Sequence, residues 1–368
     1  MGINNQSSAR LTIVALVFFL FALGSFVCLQ AAAQTATKVD VLRVSHQPVY
    51  EGFLTWQAIQ EGLDKKAGLE LKMVYFDSGM PQLEALTAKQ WDIGSIGTVP
   101  MLLAALRLDA LMVATSYDDS YNHFVLVRPD SPILKTKGAN PKYPEVYGRA
   151  EDIKGKTILV TTVSAGHYVV SSWLKVFGLK DSDVKIQNME AGQVLAAFES
   201  GKGDICELWS PFAPLAVLKK GWKKVCIGND VGARMFMPVI VGKDVAENRP
   251  DAIIKFLRLW FQQIDRQKKE GLTSATLAQY QKYMKDWAGM DLTEEMARWD
   301  NELEPLWDLK QQLELFDSSK GPCQIEKWFT GVADFFADNG RIKPEERDQA
   351  MKKKFVTDKF LKLLAKGQ

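Results

Sequence analysis

Leu83-Glu84-Ala85-Leu86 and the Trp91-Asp92-Ile93 that follows have a counterpart in residues 195–205, which read Leu-Ala-Ala-Phe-Glu-Ser-Gly-Lys-Gly-Asp-Ile. Four residues recur unchanged at one constant spacing: Leu83, Ala85, Asp92 and Ile93. Each copy follows a β-like run, at residues 71–76 and 184–187, and then a turn of small residues. Each copy also leads into a short apolar strand and a turn rich in Gly, Ser, Thr or Pro. A strand–helix–strand unit that is used twice predicts two similar α/β lobes.

The segments outside the repeat predict how the lobes are connected. Residues 123–127 and 235–241 are strand-like and apolar, and we interpret them as the paired connections between the lobes. We expect the first lobe to comprise residues 38–122 with 234–368, and the second to comprise residues 123–233. Everything after Asp244 has a helical pattern, and we expect this tail to pack on the first lobe. Its predicted helices span residues 250–269, 274–287, 293–311, 324–339 and 344–364.

Composition narrows the class of protein. The chain has 368 residues, 47% of them hydrophobic, so it can bury a sizeable core. The formal net charge is only +2 and no basic stripe is interleaved with aromatic residues, so we expect no nucleic-acid partner. Residues 1–33 read as a signal peptide: a polar start with Arg10, an apolar run, and three alanines before the cleavage point. The apolar run is long, so an uncleaved membrane anchor remains the alternative.

Three cysteines follow the signal segment, and an odd, sparse set does not make a disulfide framework. A Cys206–Cys226 bridge between adjacent predicted strands is conceivable. Buried free thiols are the interpretation that we favour.

Three turns of small residues directly precede predicted helices: Ser78-Gly79, Gly97-Thr98 and Ser164-Ala165-Gly166. The first turn of a helix offers free backbone N–H groups and a partial positive charge, which favour anions. Any one such turn is usually plain helix capping. Three of them after successive strands predict a ligand site, because ligands of open α/β sheets bind beyond the carboxyl ends of the strands.

Other side chains are placed near the same strand ends. His46 and Gln47 end the first predicted strand, and His167 opens a helix just after the serine turn. A capped surface imidazole is the alternative for His167. Trp209 follows a strand and would either form a cleft wall or be a core indole.

Carboxylates also lie near the predicted site. Glu207 stands beside Trp209, Glu51 follows the first strand, and Asp118-Asp119 follows the fourth. Solvated loop carboxylates are the alternative interpretation. The functional interpretation is a pocket for a zwitterion, with the acid group on helix N-termini and the ammonium group against a carboxylate.

No catalytic arrangement emerges from the motifs. His46, His123 and His167 lack the spacing of a helical zinc site, and neither a Gly-x-Ser-x-Gly elbow nor a Gly-x-x-x-x-Gly-Lys phosphate loop is present. We therefore expect a protein that is not an enzyme and that carries no cofactor or metal.

Several motifs occur in one order along the chain. They are Phe76-Asp77-Ser78-Gly79, Gly97-Thr98-Val99-Pro100, Asp152-Ile153-Lys154-Gly155-Lys156, Ser164-Ala165-Gly166-His167, Trp209-Ser210-Pro211-Phe212 and Asn248-Arg249-Pro250-Asp251-Ala252. With them the sequence resembles the periplasmic solute-binding proteins of ABC importers for nitrate, taurine and aliphatic sulfonates, which share a pattern with thiamine-precursor binders. The resemblance covers residues 41–260, and the tail only in helical character.

The resemblance implies a two-lobed α/β fold of the periplasmic-binding-protein type (type II), with each sheet flanked by helices. It also implies that a monomer in the periplasm captures a small polar organic solute in the interlobe cleft and delivers it to the permease subunits of an ABC importer. A taurine-like, sulfonate or amino-acid-like zwitterion is the ligand that we expect. The alternatives are a nitrate- or bicarbonate-type anion, a thiamine precursor, or an exported enzyme that uses His46 and His167.

Overall fold

The first of two five-stranded sheets begins with the first strand of the described chain. The computed structural model describes residues 39–367. Sheet 1 has the strand order β2-β1-β3-β10-β4, and β10 runs antiparallel to both of its neighbours. Its strands are β1 (Asp40–His46), β2 (Leu69–Tyr75), β3 (Ile93–Ser95), β4 (Leu111–Asp118) and β10 (Phe236–Val241). Its helices are α1 (Tyr50–Gln60), α2 (Gly79–Thr87) and α3 (Thr98–Leu108).

The second sheet repeats the same plan. Sheet 2 has the order β7-β6-β8-β5-β9, in which β5 is the antiparallel strand, as β10 is in sheet 1. Its strands are β5 (Phe124–Val127), β6 (Thr157–Val160), β7 (Lys185–Asn188), β8 (Ile205–Leu208) and β9 (Lys223–Ile227). Its main helices are α4 (Ala165–Val176) and α5 (Ala191–Glu199). The prediction of two similar α/β lobes is therefore confirmed.

The aspartates of the sequence repeat have the same structural role in both sheets. Asp92 donates its backbone N–H to Arg43 O at 2.9 Å, and its Oδ2 accepts the backbone N–H of Arg43 at 2.8 Å. Asp204 forms the same pair of bonds with Thr157, at 2.9 and 2.8 Å. Each aspartate thus fixes the register between the strand that it precedes and the strand beside it, which explains why this residue recurs in both copies.

The tail is helical but more interrupted than predicted. Its helices are α6 (Pro250–Glu270), α7 (Ser274–Ala288), α8 (Glu294–Glu302), α9 (Leu309–Leu315), α10 (Gln324–Asp338), α11 (Pro344–Lys352) and α12 (Lys359–Lys366), after a short helix at Lys243–Asn248. Continuous helices over 293–311 and 344–364 were wrong predictions. Pro305 disfavours helix at the residue before it, and Trp307 N–H instead donates to Ser116 O at 2.9 Å. Residues 355–357 pair with Met112, so contacts with the edge of β4 outweigh local helix propensity there.

The tail packs mainly on sheet 1, as expected. Phe256, Trp260 and Phe329 join the buried core of that sheet. The tail also contacts the other lobe, which was not predicted. The Phe335 ring lies 5.2 Å from that of His167, and Trp299 lies 5.8 Å from Phe124.

The chain passes between the sheets twice, once between β4 and β5 and once between β9 and β10. The two passages are hydrogen-bonded to each other: Asp119 N–H donates to Met235 O at 3.1 Å, and Met235 N–H donates to Ser120 Oγ at 3.0 Å. We propose that these passages separate the lobes and act as the hinge. We call the part around sheet 1 the first lobe and the part around sheet 2 the second lobe.

The cysteines of the described chain form no disulfide, and none of its helices could span a membrane. Cys206, Cys226 and Cys323 are free and buried. The first two do not lie on adjacent strands, because β5 runs between β8 and β9, and about 10 Å of sheet is too far for a disulfide. Within residues 39–367, no helix is long and apolar enough to span a bilayer. The predicted signal peptide lies outside the described residues.

Candidate ligand-binding cleft

A cavity lies between the two lobes at the hinge. Its empty volume is about 410 Å³, including space that is open to solvent. The first lobe contributes Gln47, Val49, Ser78, Gly79, Gly97, Pro100 and Met237, the hinge contributes Asp119, Asn122 and His123, and the second lobe contributes Ser164, Ala165 and Trp209.

Three helix N-termini that the sequence suggested as parts of a ligand site border this cavity. Gly79 is the first residue of α2, Gly97 precedes α3, and Ala165 is the first residue of α4. A side chain at position 79 would meet Pro100 Cγ at 2.4 Å, so glycine is needed where the ends of α2 and α3 meet. Among the described residues, no side chain caps α2 or α3, so their first N–H groups remain available to an anion.

The two serines of the predicted turns behave differently. Ser164 Oγ accepts the His167 N–H at 3.1 Å and donates to Thr161 O at 2.6 Å, so it is a helix cap. Ser78 Oγ donates to Glu190 Oε1 of the second lobe at 3.3 Å. Of these two serines, only Ser78 forms a hydrogen bond to the other lobe.

Several residues that the sequence suggested as ligand donors are occupied by structural hydrogen bonds outside the cavity lining. Thr98 Oγ1 accepts the Phe236 N–H at 3.0 Å and donates back to Phe236 O. His167 Nε2 lies 2.8 Å from Asp181 Oδ2, and its Nδ1 accepts the Val163 N–H at 3.3 Å.

His46 is also outside the lining. Its Nε2 lies 2.8 Å from Thr55 Oγ1, and burial lowers the pKa of His46 to about 3, so the ring is neutral at pH 7. Gln47, in contrast, does line the cavity. Gln82 Oε1 accepts its amide N–H at 2.9 Å, which fixes the side chain of Gln47.

Trp209 satisfies both interpretations of the sequence. It lines the cavity, and it also belongs to the buried core around sheet 2. Its ring centroid lies 5.8 Å from that of His123.

The electrostatic centre of the cleft is a row of three side chains, which we call the acid–imidazole row. His123 Nε2 lies 3.0 Å from Asp119 Oδ2, and His123 Nδ1 lies 3.0 Å from Glu207 Oε1. Burial alone would lower the pKa of His123, but the attraction and hydrogen bonds of the two carboxylates outweigh burial and raise that pKa to about 10. The imidazolium form therefore prevails at neutral pH. Burial raises the pKa of Glu207, and the hydrogen bond and charge of His123 oppose that rise. The row thus places two carboxyl groups against one imidazolium.

Glu207 and Gly166 meet behind the cavity wall. Glu207 is fully buried and does not line the cavity. A side chain at position 166 would lie 1.9 Å from Glu207 Oε2, so Gly166 is what allows the carboxylate to lie against the first turn of α4.

Further carboxyl groups are buried beside the hinge. Glu51, Asp300 and Glu304 are at most 1% exposed, so the interpretation of Glu51 as a solvated loop residue is wrong. Burial raises the pKa of Glu51 and Glu304 well above the usual range and that of Asp300 to about 7. Glu304 accepts the Asn122 side-chain N–H at 2.9 Å, so the group supports the hinge from behind.

The sequence did not indicate most of the hinge residues of the cavity. Asn122 was predicted only as the last residue of the first lobe. His123 was assigned to the connecting strand and was otherwise considered only for the spacing of a zinc site. Asp119 was noted as one of two acids at a strand end, but its burial was not foreseen. The spacing of Asp119 and His123 permits a contact, whereas Glu207 comes from a strand distant in sequence. Within the described chain, no group of three or more His, Cys, Asp or Glu side chains is placed to hold a metal ion.

Comparison with known proteins places this architecture in a family. The family model described as "ABC transporter, phosphonate, periplasmic substrate-binding protein" matches residues 45–258. A putative ABC transporter periplasmic binding protein of Brachyspira hyodysenteriae is 31% identical over 255 residues, which are 69% of this chain and 72% of that protein. The taurine-binding periplasmic protein of Escherichia coli is 26% identical over 245 residues, 65% of this chain and 68% of that protein.

Solved structures share the fold. The alkanesulfonate-binding protein SsuA of Xanthomonas axonopodis pv. citri, bound to MOPS, superposes with a TM-score of 0.65 at 20% identity, over 86% of this chain and 98% of that one. The nitrate-binding protein NrtA of Synechocystis PCC 6803 gives a TM-score of 0.65 at 12% identity, over 90% of this chain and 89% of that one. With the family match over more than half of the chain, this protein belongs to the periplasmic substrate-binding proteins of ABC transporters.

Proposed function

We propose that this protein captures a small zwitterionic solute, of the aminosulfonate or amino-acid type, and delivers it to an ABC importer. The observation that carries the proposal is the composition of one cavity. Uncapped helix N-termini and a buried carboxylate, Asp119, line the same space. Such a space matches a molecule that carries one acid group and one ammonium group.

The acid group would bind at the first lobe. The N-termini of α2 and α3 converge beside Pro100, with Gly79 and Gly97 leaving the backbone exposed to the cavity. Their N–H groups and partial positive charge favour an anion without any basic side chain.

The ammonium group would bind at the hinge. Asp119 belongs to the acid–imidazole row, in which two carboxyl groups share one imidazolium, so the row would accept the charge of a second cation. A bound cation would compensate that charge inside a low-dielectric site, where charge-assisted hydrogen bonds are strong. Trp209 would cover the carbon chain between the two charged groups.

The relatives support the proposal that the ligand carries an acid group. One is named for taurine, an aminosulfonate, and one solved neighbour binds the sulfonate MOPS. An inorganic anion such as nitrate would bring no cation to Asp119, which then keeps His123 and Asn122 as its side-chain partners. The family is one of binding proteins, and His46 and His167 are held in structural hydrogen bonds, so we do not propose an enzyme.

Delivery would depend on closure of the lobes. The ligand contacts both lobes only when they meet, so binding would shift the population towards the closed form that docks on the importer. The hinge would be the two passages joined at Asp119 and Met235.

A thermal-shift screen tests the proposal. Taurine, alkanesulfonates, amino acids, nitrate, bicarbonate, aromatic acids and a thiamine-precursor pyrimidine would each be added at increasing concentration. A ligand at about 100 times its dissociation constant stabilises the native state by about 2.7 kcal/mol. We expect zwitterions to give the largest shifts. Stabilisation by inorganic anions alone would contradict the proposal.

A further inference from the structure

Glu207 lies where a negative charge is unexpected in a protein that binds acid groups. Its side chain is fully buried, beside the first turn of α4, whose first residue lines the cavity. Its Oε1 lies 3.0 Å from His123 Nδ1. Among the described residues, Oε2 has no hydrogen-bond partner.

The position of Glu207 changes what α4 can offer a ligand. Glu207 Oε2 would lie 1.9 Å from a side chain at Gly166, so the carboxylate almost touches the backbone of the first turn. When Glu207 is ionised, the form that the hydrogen bond and charge of His123 favour against burial, its carboxylate neutralises the partial positive charge of the helix N-terminus from inside the protein. The N-terminus of α4 is therefore a poor anion site, unlike those of α2 and α3.

Among the described residues, His123 is the one cationic side chain that is hydrogen-bonded to Glu207. His123 is shared between Glu207 and Asp119. The ring that packs against His123 belongs to Trp209, which is uncharged. An anion without an amine would face two carboxylates and one imidazolium from the second lobe and the hinge. A zwitterion would bring its own cation to that side.

The geometry points to Glu207 as a specificity-determining residue that excludes amine-free anions by occupying the positive end of α4. This inference rests on the proposed function, since it assigns the acid group of the ligand to the first lobe and the ammonium group to the hinge. Glu207 acts on the ligand through its charge and not through contact.

Isothermal titration calorimetry with ethanesulfonate, which lacks an amine, tests this role. Glu207→Gln retains the size of the side chain and removes its charge, so ethanesulfonate should bind on the order of tenfold more tightly than to the wild type. His123→Gln leaves two carboxylates uncompensated and should weaken ethanesulfonate binding. Glu199→Gln removes a carboxylate from the surface of the second lobe, where it pairs with Lys220, and should change binding less than twofold.

The outcomes separate the two proposals. Unchanged or weaker ethanesulfonate binding by folded Glu207→Gln would overturn the role of Glu207. Tighter ethanesulfonate binding by His123→Gln would also overturn it, and this variant provides the test if Glu207→Gln does not fold. Absence of taurine binding by the wild type would overturn the proposed function instead, and the ethanesulfonate comparison would still test Glu207.

Discussion

Ser78 and Glu190 join the two lobes beside the cleft: the Ser78 hydroxyl donates to Glu190 Oε1 at 3.3 Å. Glu190 does not line the cavity, so its bond reports on closure and not on ligand contact. The bond can form only when the lobes meet.

Glu190→Ala should therefore weaken ligand binding by favouring the open form. One hydrogen bond contributes about 1 kcal/mol, so the dissociation constant should rise about fivefold. Calorimetry and the radius of gyration from small-angle scattering measure the two effects. Glu199→Ala, at the other end of α5, is the control. An unchanged dissociation constant for Glu190→Ala would mean that this bond does not stabilise closure.

Gly166→Ala should destabilise the protein by about 2 kcal/mol or more, because the new methyl group would overlap Glu207 Oε2. Gly192 is its matched control, since it holds the corresponding second position of α5 and its nearest neighbour would be Phe212 at 3.8 Å. Gly192→Ala should be neutral or stabilise the helix by up to about 1 kcal/mol. Urea unfolding of both variants measures the difference, and equal stabilities would refute the close approach of Glu207.

The stability of the protein should fall as the pH rises from about 6.5 to about 10. The pKa of His123 is raised to about 10 in the folded state, above its value of about 6.5 in an unfolded chain. The contribution of His123 is thus complete below pH 6.5 and lost as the pH passes 10. His123→Gln should show a shallower decline in the free energy of unfolding, since the other groups titrate in both proteins. Parallel declines would show that His123 is not an imidazolium held by its carboxylates.

Cys206, Cys226 and Cys323 should remain reduced thiols in protein exported to an oxidising compartment. Strand β5 separates the first two, and burial raises the pKa of both, which suppresses the reactive thiolate. Alkylation in denaturant without reductant, followed by peptide mapping, should find all three modified. A peptide linking Cys206 to Cys226 would contradict this expectation.

The fold was largely predictable because the two copies of the sequence repeat form the same hydrogen bonds in the two sheets. Asp92 and Asp204 are identical because each pins a strand register through the same two backbone hydrogen bonds. The apolar periodicity of the tail likewise predicted most of its helices. It failed at residues 355–357, where pairing with Met112 depends on a distant strand edge that local sequence does not encode.

The cleft was only partly predictable. Turns such as Ser78-Gly79 and Gly97 carry a local signal, because small residues before a helix expose its N–H groups. The acid–imidazole row carries no such signal, since Glu207 meets His123 only through the pairing of β5 with β8. His167 and Thr98 were selected for their position, but each has a closer structural partner.

The central claim is that Asp119 receives the ammonium group of a zwitterion, and the ratio of the dissociation constants of ethanesulfonate and taurine tests it most directly. We predict that the wild type binds taurine at least about tenfold more tightly than ethanesulfonate, because a charge-assisted hydrogen bond contributes about 1.5–3 kcal/mol. Asp119→Asn should abolish that preference. Asp118→Asn should retain it, since Asp118 pairs with Arg234 outside the cavity. Equal affinities for the two sulfonates in the wild type, or an unchanged ratio in Asp119→Asn, would contradict the account.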